Sequence, residues 1–172
     1  ISAGEEALVR DSQNLTAHRI LGLTYASSAG GREGSSRDAT RAISHLSQAR
    51  GTLIPDLQVD LTLARLYLRT DAIDDATELL EQLVRDEPGV TEISLLLSQA
   101  YGQAGRHDTA LETLETAVIT GRPSYRAMAR LGEMYEQRRR WREAAGAYAQ
   151  AVALNPRNAT VRRRLARALL EF

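Results

Sequence analysis

Three histidines, His18, His45 and His107, are the side chains best suited to move protons or ligate a metal near neutral pH. They lie far apart in sequence, and neither His18 nor His45 has an acidic companion at a recognisable metal spacing. Ser and Asp are plentiful, but no nucleophile elbow or triad signature appears. The carboxylate pairs Glu5-Glu6 and Asp74-Asp75 read as turn or helix-start residues that favour the helix dipole. There is no Cys, which removes disulfides, thiolate catalysis and sulfur-ligated zinc. There is no Lys either, all 22 Lys-or-Arg positions being Arg, so a Schiff-base or P-loop lysine is impossible within this chain. No site requires catalysis. The expectation is a non-enzyme without cofactor or metal.

The guanidinium groups are the other candidates. Arg138-Arg139-Arg140 with Arg142, and Arg162-Arg163-Arg164, could attract nucleic acid. No stacking aromatics interleave with them apart from Trp141, so solvated faces are expected and nucleic acid is disfavoured. Charge is unevenly spread. Residues 1–55 hold 6 Arg and 5 acids, residues 56–121 hold 4 Arg and 13 acids, and residues 122–172 hold 12 Arg and 4 acids. An acidic middle and a basic end make a field that steers partners and permits head-to-tail self-association.

The elements that carry these groups follow from a period. Tyr67, Tyr101 and Tyr135 are spaced by 34 residues, as are Leu63, Leu97, Leu131 and Leu165. The small residues Ala64, Ser98, Gly132 and Ala166 keep the same step, and so do Ala76, Ala110 and Ala144. Within 57–90, Leu63, Leu66, Tyr67 and Leu68 follow helical spacing, and so do Ala76, Leu79, Leu80, Leu83 and Val84. The polar stretch Thr70-Asp71-Ala72-Ile73-Asp74 separates them, and Asp86-Glu87-Pro88-Gly89 ends the unit, because Pro cannot continue a helix. Each unit is therefore two helices with an apolar face that needs a neighbour.

These residues resemble the tetratricopeptide repeat family. The best match is Met128, Leu131-Gly132, Tyr135, Ala144, Tyr148, Ala151 and Pro156, followed by a linker-like Leu154-Asn155-Pro156-Arg157-Asn158. Residues 91–124 match through Leu97-Ser98, Tyr101, Ala110, Leu114 and Ala117. The first unit departs. Leu21-Gly22 and Tyr25 match its first helix and Ala42, Leu46 and Ala49 its second, but 8 extra residues intervene. The insert falls in Ser27–Ser36, whose Gly and Ser content predicts a flexible surface loop.

The resemblance implies an all-α fold, a right-handed superhelical solenoid of antiparallel helix pairs. One domain over 1–172 is expected, with a partial repeat at 1–14, repeats at 15–56, 57–90, 91–124 and 125–158, and a terminal helix at 159–172. Both ends read as cuts through a longer bacterial array, in cytoplasm or periplasm. The family's first helices line a concave surface. Here Arg65, Leu95, Leu96, Gln99, Arg126, Arg130, Arg163 and Arg164 would face it, apolar in the middle and basic toward the C-terminus. The family subgroup that clamps a C-terminal carboxylate uses two asparagines, absent here, and only Arg126 and Arg130 keep suitable charge. The expected function is a scaffold that binds a protein or peptide, with acidic groups meeting Arg126 and Arg130. A regulatory or substrate-recruiting segment of a larger enzyme, secretion protein or transcription regulator is the alternative. With 172 residues and 43% apolar content, the chain can bury a core, and no run of eighteen apolar residues would span a membrane.

Overall fold

The computed structural model describes residues 2–30, 36–50, 56–122 and 124–171. Those residues form ten helices and no strand: α1 Ser2–Arg10, α2 Leu15–Ala29, α3 Ser36–Ala49, α4 Leu57–Arg69, α5 Ile73–Asp86, α6 Thr91–Gln103, α7 His107–Thr120, α8 Tyr125–Gln137, α9 Trp141–Leu154 and α10 Ala159–Leu170. They fall into two compact units, Ile1–Leu79 and Leu80–Phe172. In the first, α2 packs on α3, α3 on α4, and α2 also touches α1 and α4. In the second, α6 packs on α7, α8 on α9 and α9 on α10, while α6 also touches α8.

Helix starts keep the sequence period. Asn14, Asp56, Ser124 and Asn158 cap α2, α4, α8 and α10, each side chain accepting from a backbone N–H in the first turn. At Asp56 the Arg19 guanidinium also donates at 2.5 Å. That bond, the largest influence, holds the Asp56 carboxyl below its ordinary value. Val90 occupies the corresponding place before α6 and supplies no side-chain cap. The second helices α7 and α9 start behind Arg106 and Arg140, likewise without a side-chain cap.

The turns inside the pairs repeat as well. Asp71, Gly105 and Arg139 have φ of 62°, 75° and 57°. One left-handed residue reverses the chain, and the next backbone N–H returns to the repeat tyrosine. Ala72 bonds the Tyr67 carbonyl at 2.9 Å, Arg106 that of Tyr101 at 2.8 Å and Arg140 that of Tyr135 at 2.9 Å. Glycine fits this geometry at one of the three positions, whereas the other two carry a Cβ.

Close helix approach depends on the small register position. A Cβ on Gly22 would lie 2.6 Å from Leu46 Cδ2, and one on Gly132 would lie 2.5 Å from Tyr148 Cε1. Leu46 and Tyr148 are fully buried. Around Tyr148 gather Met128, Ala144, Ala145, Ala151, Val161 and Ala168. Ser98 takes the same position in α6, and its hydroxyl donates to the Ala110 carbonyl at 2.7 Å. The small-and-large alternation read from the sequence is thus the contact surface itself.

Two expectations need correction. Ser27, Ser28 and Ala29 are helical, because α2 runs to Ala29 and α3 resumes at Ser36. The Gly- and Ser-rich stretch is absorbed at both ends by good backbone hydrogen bonding, and Gly30 closes α2 with its N–H on the Ala26 carbonyl at 3.0 Å. Residues 31–35 of that insert lie outside the described residues. Leu96 does not face a groove, since it is buried at 6% exposure.

Candidate partner-binding face

Each repeat tyrosine reaches back twenty positions to the preceding second helix. Tyr101 donates its hydroxyl to Glu81 Oε1 at 2.8 Å and Tyr135 to Glu115 Oε1 at 2.7 Å. A guanidinium covers each ring, Arg106 at 4.3 Å from the Tyr101 centroid and Arg140 at 4.5 Å from that of Tyr135. Burial, reinforced by the Glu115 carboxylate, pushes the Tyr135 phenol up to about 12. Burial and the Glu81 carboxylate raise Tyr101 in the same way. These staples fix the register of α6 and α8 and so set the groups between them.

The result is a cavity of about 560 Å³ lined by Leu95, Gln99, Gly102 and Gln103 of α6, Arg126, Arg130 and Gln137 of α8, and His107 at the start of α7. No carboxylate is among the lining residues. Four of the residues singled out from sequence, Leu95, Gln99, Arg126 and Arg130, meet there. Arg126 is 72% exposed at its side chain, with Glu92 at 3.8 Å. Arg130 donates to Glu133 Oε2 at 3.2 Å. Three amides, an imidazole and two guanidinium groups offer many donors to an acidic segment, and Leu95 adds an apolar contact.

A second cavity, about 570 Å³, lies between α8 and α10 and is densely ionic. Arg164 reaches Glu136 Oε2 at 3.0 Å and Glu133 Oε1 at 3.5 Å, and Arg167 reaches Glu136 Oε1 at 3.5 Å. Tyr148 donates to Glu136 Oε2 at 2.7 Å. Burial works to raise the Glu136 carboxyl, but Tyr148, Arg164 and Arg167 together outweigh it and hold it below its ordinary value. Arg164 is therefore engaged in docking α10 on α8. Arg163 is exposed on α10 and lines neither cavity. Arg65 is exposed on α4, in the other unit.

The arginine turn is exposed at Arg139, Arg140 and Arg142, as expected of a solvated face, and two of its side chains also bond within the repeat. Arg138 donates to the His107 carbonyl at 2.8 Å and to Asp108 Oδ1 at 2.9 Å. Arg140 bonds Glu143 at 3.0 Å as well as covering Tyr135. Among the described residues, no group of three or more His, Cys, Asp or Glu side chains could hold a metal ion, and no helix is long and apolar enough to cross a membrane.

Helix pairs with recurrent caps, left-handed turns and cross-helix staples define a repeat protein of the interaction-scaffold class. The chain belongs to the tetratricopeptide repeat family: two family models described as Tetratricopeptide repeat match residues 71–132 and 127–160. Such proteins bind proteins or peptides and are typically non-enzymatic. No curated protein sequence matches the chain. Among solved structures, MamA MSR-1 superposes with a TM-score of 0.63 at 25% identity over 91% of this chain and 86% of that one. MamA AMB-1 gives 0.66 at 25% identity over 94% and 84%. TTC0263, a thermophilic TPR protein in Thermus thermophilus, gives 0.69 at 22% identity over 98% and 88%, a likeness of fold alone.

Proposed function

We propose that the chain is an interaction scaffold whose α6–α8 cavity receives an acidic segment of a partner protein. One observation carries this reading: Arg126 and Arg130 share a cavity with three glutamines, and no carboxylate lines it. Guanidinium groups favour carboxylates through paired, charge-assisted hydrogen bonds, and Arg126, 72% exposed at its side chain, is open to one. Leu95 would seat one short apolar side chain beside them.

The test places a photo-crosslinking residue at Gln99 in the chain and maps the partner segment it captures in an extract of the native source. The reading expects an Asp- or Glu-rich segment. Arg126→Ala/Arg130→Ala should then weaken affinity about tenfold or more, and added salt should reduce what remains of the difference. An unchanged affinity, or a neutral segment bound without salt dependence, defeats it. A second copy of the chain qualifies as an acidic partner, since residues 56–121 carry 13 acids against 4 Arg. Sedimentation at low salt decides that case, and a monomer at all concentrations removes it.

A further inference from the structure

His18 of α2 and His45 of α3 meet through their Nδ1 atoms at 2.9 Å. His18 is 4% exposed, and its Nε2 lies 3.1 Å from the Ser12 carbonyl oxygen in the turn before α2. A carbonyl oxygen can only accept, so His18 Nε2 carries a hydrogen. In the neutral pair, His18 Nδ1 is then the acceptor and His45 Nδ1–H the donor, which leaves His45 Nε2 as the free base. The His45 ring stacks on Tyr25 with centroids 5.8 Å apart and planes 9° apart. Tyr25 in turn donates to Glu5 Oε1 of α1 at 3.0 Å. One cluster therefore joins the turn before α2 to α1, α2 and α3.

Charged groups from the packed helices act on this pair in both directions. Glu5 of α1 favours a charged His45, while His18 of α2 and Arg41 of α3 oppose it. The α4 end contributes Asp56 and Asp60, and these are taken by Arg19 at 2.5 Å and Arg50 at 2.6 Å. Burial is the largest influence on His45 and holds it below its ordinary value.

The hydrogen bond tolerates one proton. His45 Nε2 can take it, and the Nδ1–H···Nδ1 bond persists with a charged donor. Two protons are incompatible with the geometry. Both Nδ1 atoms would then carry hydrogens at 2.9 Å from each other, on two positive rings in a poorly solvated site. The rings must separate, and the α2–α3 contact separates with them.

We propose that the His18–His45 pair is an acid-sensitive latch that holds α2 to α3 and releases this helix pair when both imidazoles are protonated. Because His45 binds its proton less readily when folded than when unfolded, its contribution is complete above about pH 6.5. It is lost progressively as pH falls below that value.

The experiment is residue-resolved hydrogen exchange on the full chain at about pH 7.5 and about pH 5.5, corrected for intrinsic exchange, with α8–α9 as the internal reference. That reference has no histidine, and its Glu136 stays ionised at both values. Protection of α2–α3 relative to α8–α9 should fall about tenfold on acidification. In His45→Gln the ratio should change by less than about twofold, since Gln still donates but does not titrate. Should that variant fail to fold, nitrogen-15 imidazole spectra of the native chain decide alone. The latch requires the Nε2-protonated tautomer of His18 and a His45 that takes its proton below its ordinary value. A ratio that is flat with pH in the native chain, or a His45 imidazole that titrates at its ordinary value, overturns it.

Discussion

The two units use the same tyrosine position with different strength. In Leu80–Phe172, Tyr101 and Tyr135 each have a carboxylate at hydrogen-bond distance and a guanidinium over the ring. In Ile1–Leu79, Tyr25 keeps its carboxylate, Glu5, at 3.0 Å, but its guanidinium, Arg41, stands farther off at 5.5 Å. Tyr67 has a serine instead, with Ser47 Oγ at 3.4 Å, and Ala72 stands where Arg106 and Arg140 stand in the later repeats. The separation of twenty residues is constant in all four cases. It survives the insertion because the staple joins a second helix to the next first helix, whereas the insertion falls between α2 and α3. The geometry is thus a property of the fold, and the chemistry at each staple is free to vary.

The largest expected contrast lies at the small register position. Gly132→Ala places a Cβ against the Tyr148 ring, which is fully buried and held by Glu136 and Arg164. The ring cannot rotate away. Overpacking there should exceed the helix-propensity gain and cost about 2 kcal/mol net. Gly22→Ala meets Cδ2 and Cγ of the buried Leu46 and comes within 3.1 Å of its backbone N, but no hydrogen bond holds that aliphatic side chain in place, so the cost should be smaller, about 1 kcal/mol. Urea unfolding followed by fluorescence reports the second unit, because the single Trp of the chain, Trp141, lies there. Helical circular dichroism reports both. Equal losses at the two glycines would mean that the ring is not held as the geometry indicates.

The staples should differ next. Tyr135→Phe removes the phenol donor from Glu115 while Arg140 stays 3.7 Å away, and should cost about 1 kcal/mol. Tyr67→Phe, at a 3.4 Å contact with a neutral hydroxyl, should cost under about 0.5 kcal/mol. A double-mutant cycle with Glu115→Gln isolates the pair. Alkaline titration gives a second measurement with a definite sign. Tyr135 is held protonated up to about 12, above its ordinary 10.0, so its contribution is full below pH 10.0 and is lost as pH rises through about 12. Phenolate absorbance should show Tyr135 titrating late in the native chain and at its ordinary value in Glu115→Gln unfolded by urea.

Much of this was legible in the sequence, for a reason visible in Tyr67, Tyr101 and Tyr135. A repeat exposes its own register, so packing residues, turns and first-helix faces follow once one step is known. The four cavity residues were found that way. The staples were missed although they carried a signal: Glu81 and Glu115 precede their tyrosines by twenty residues, and Arg106 and Arg140 are one period apart. The His18–His45 contact carried no such signal. Its partners are 27 residues apart across the insertion, and no helical spacing links positions on either side of an insert. Ion pairing was hidden in part. Arg130 stands three residues before Glu133 on α8, a spacing the sequence shows, but only three-dimensional packing brings Arg164 of α10 against Glu133 and Glu136.

The turns allow a test in the opposite direction. Asp71 and Arg139 hold φ of 62° and 57°, where Gly105 holds 75° without a Cβ. Asp71→Gly and Arg139→Gly should each raise stability by up to about 1 kcal/mol, and Gly105→Ala should lower it by a similar amount. Arg139 is exposed, so little packing is given up. A loss of stability at either position would show that the side chain contributes more than the left-handed backbone costs.

The smallest effect is expected at the one first helix among α2, α4, α6, α8 and α10 that lacks a side-chain cap. Val90 sits where Asp56, Ser124 and Asn158 accept hydrogen bonds from their first turns. Val90→Ser supplies an acceptor for the N–H groups at the start of α6, a gain of about 1 kcal/mol. Val90 is half-buried, and removing its methyl groups offsets about half of that. The net should be a gain of about 0.5 kcal/mol, read from the urea midpoint by Trp141 fluorescence. Val90→Ala separates the two contributions, because it gives up the methyl groups without adding a cap. If Val90→Ser is no more stable than Val90→Ala, the open N-terminus of α6 is already satisfied by solvent, and the alternation of capped and uncapped helix starts has no energetic meaning there.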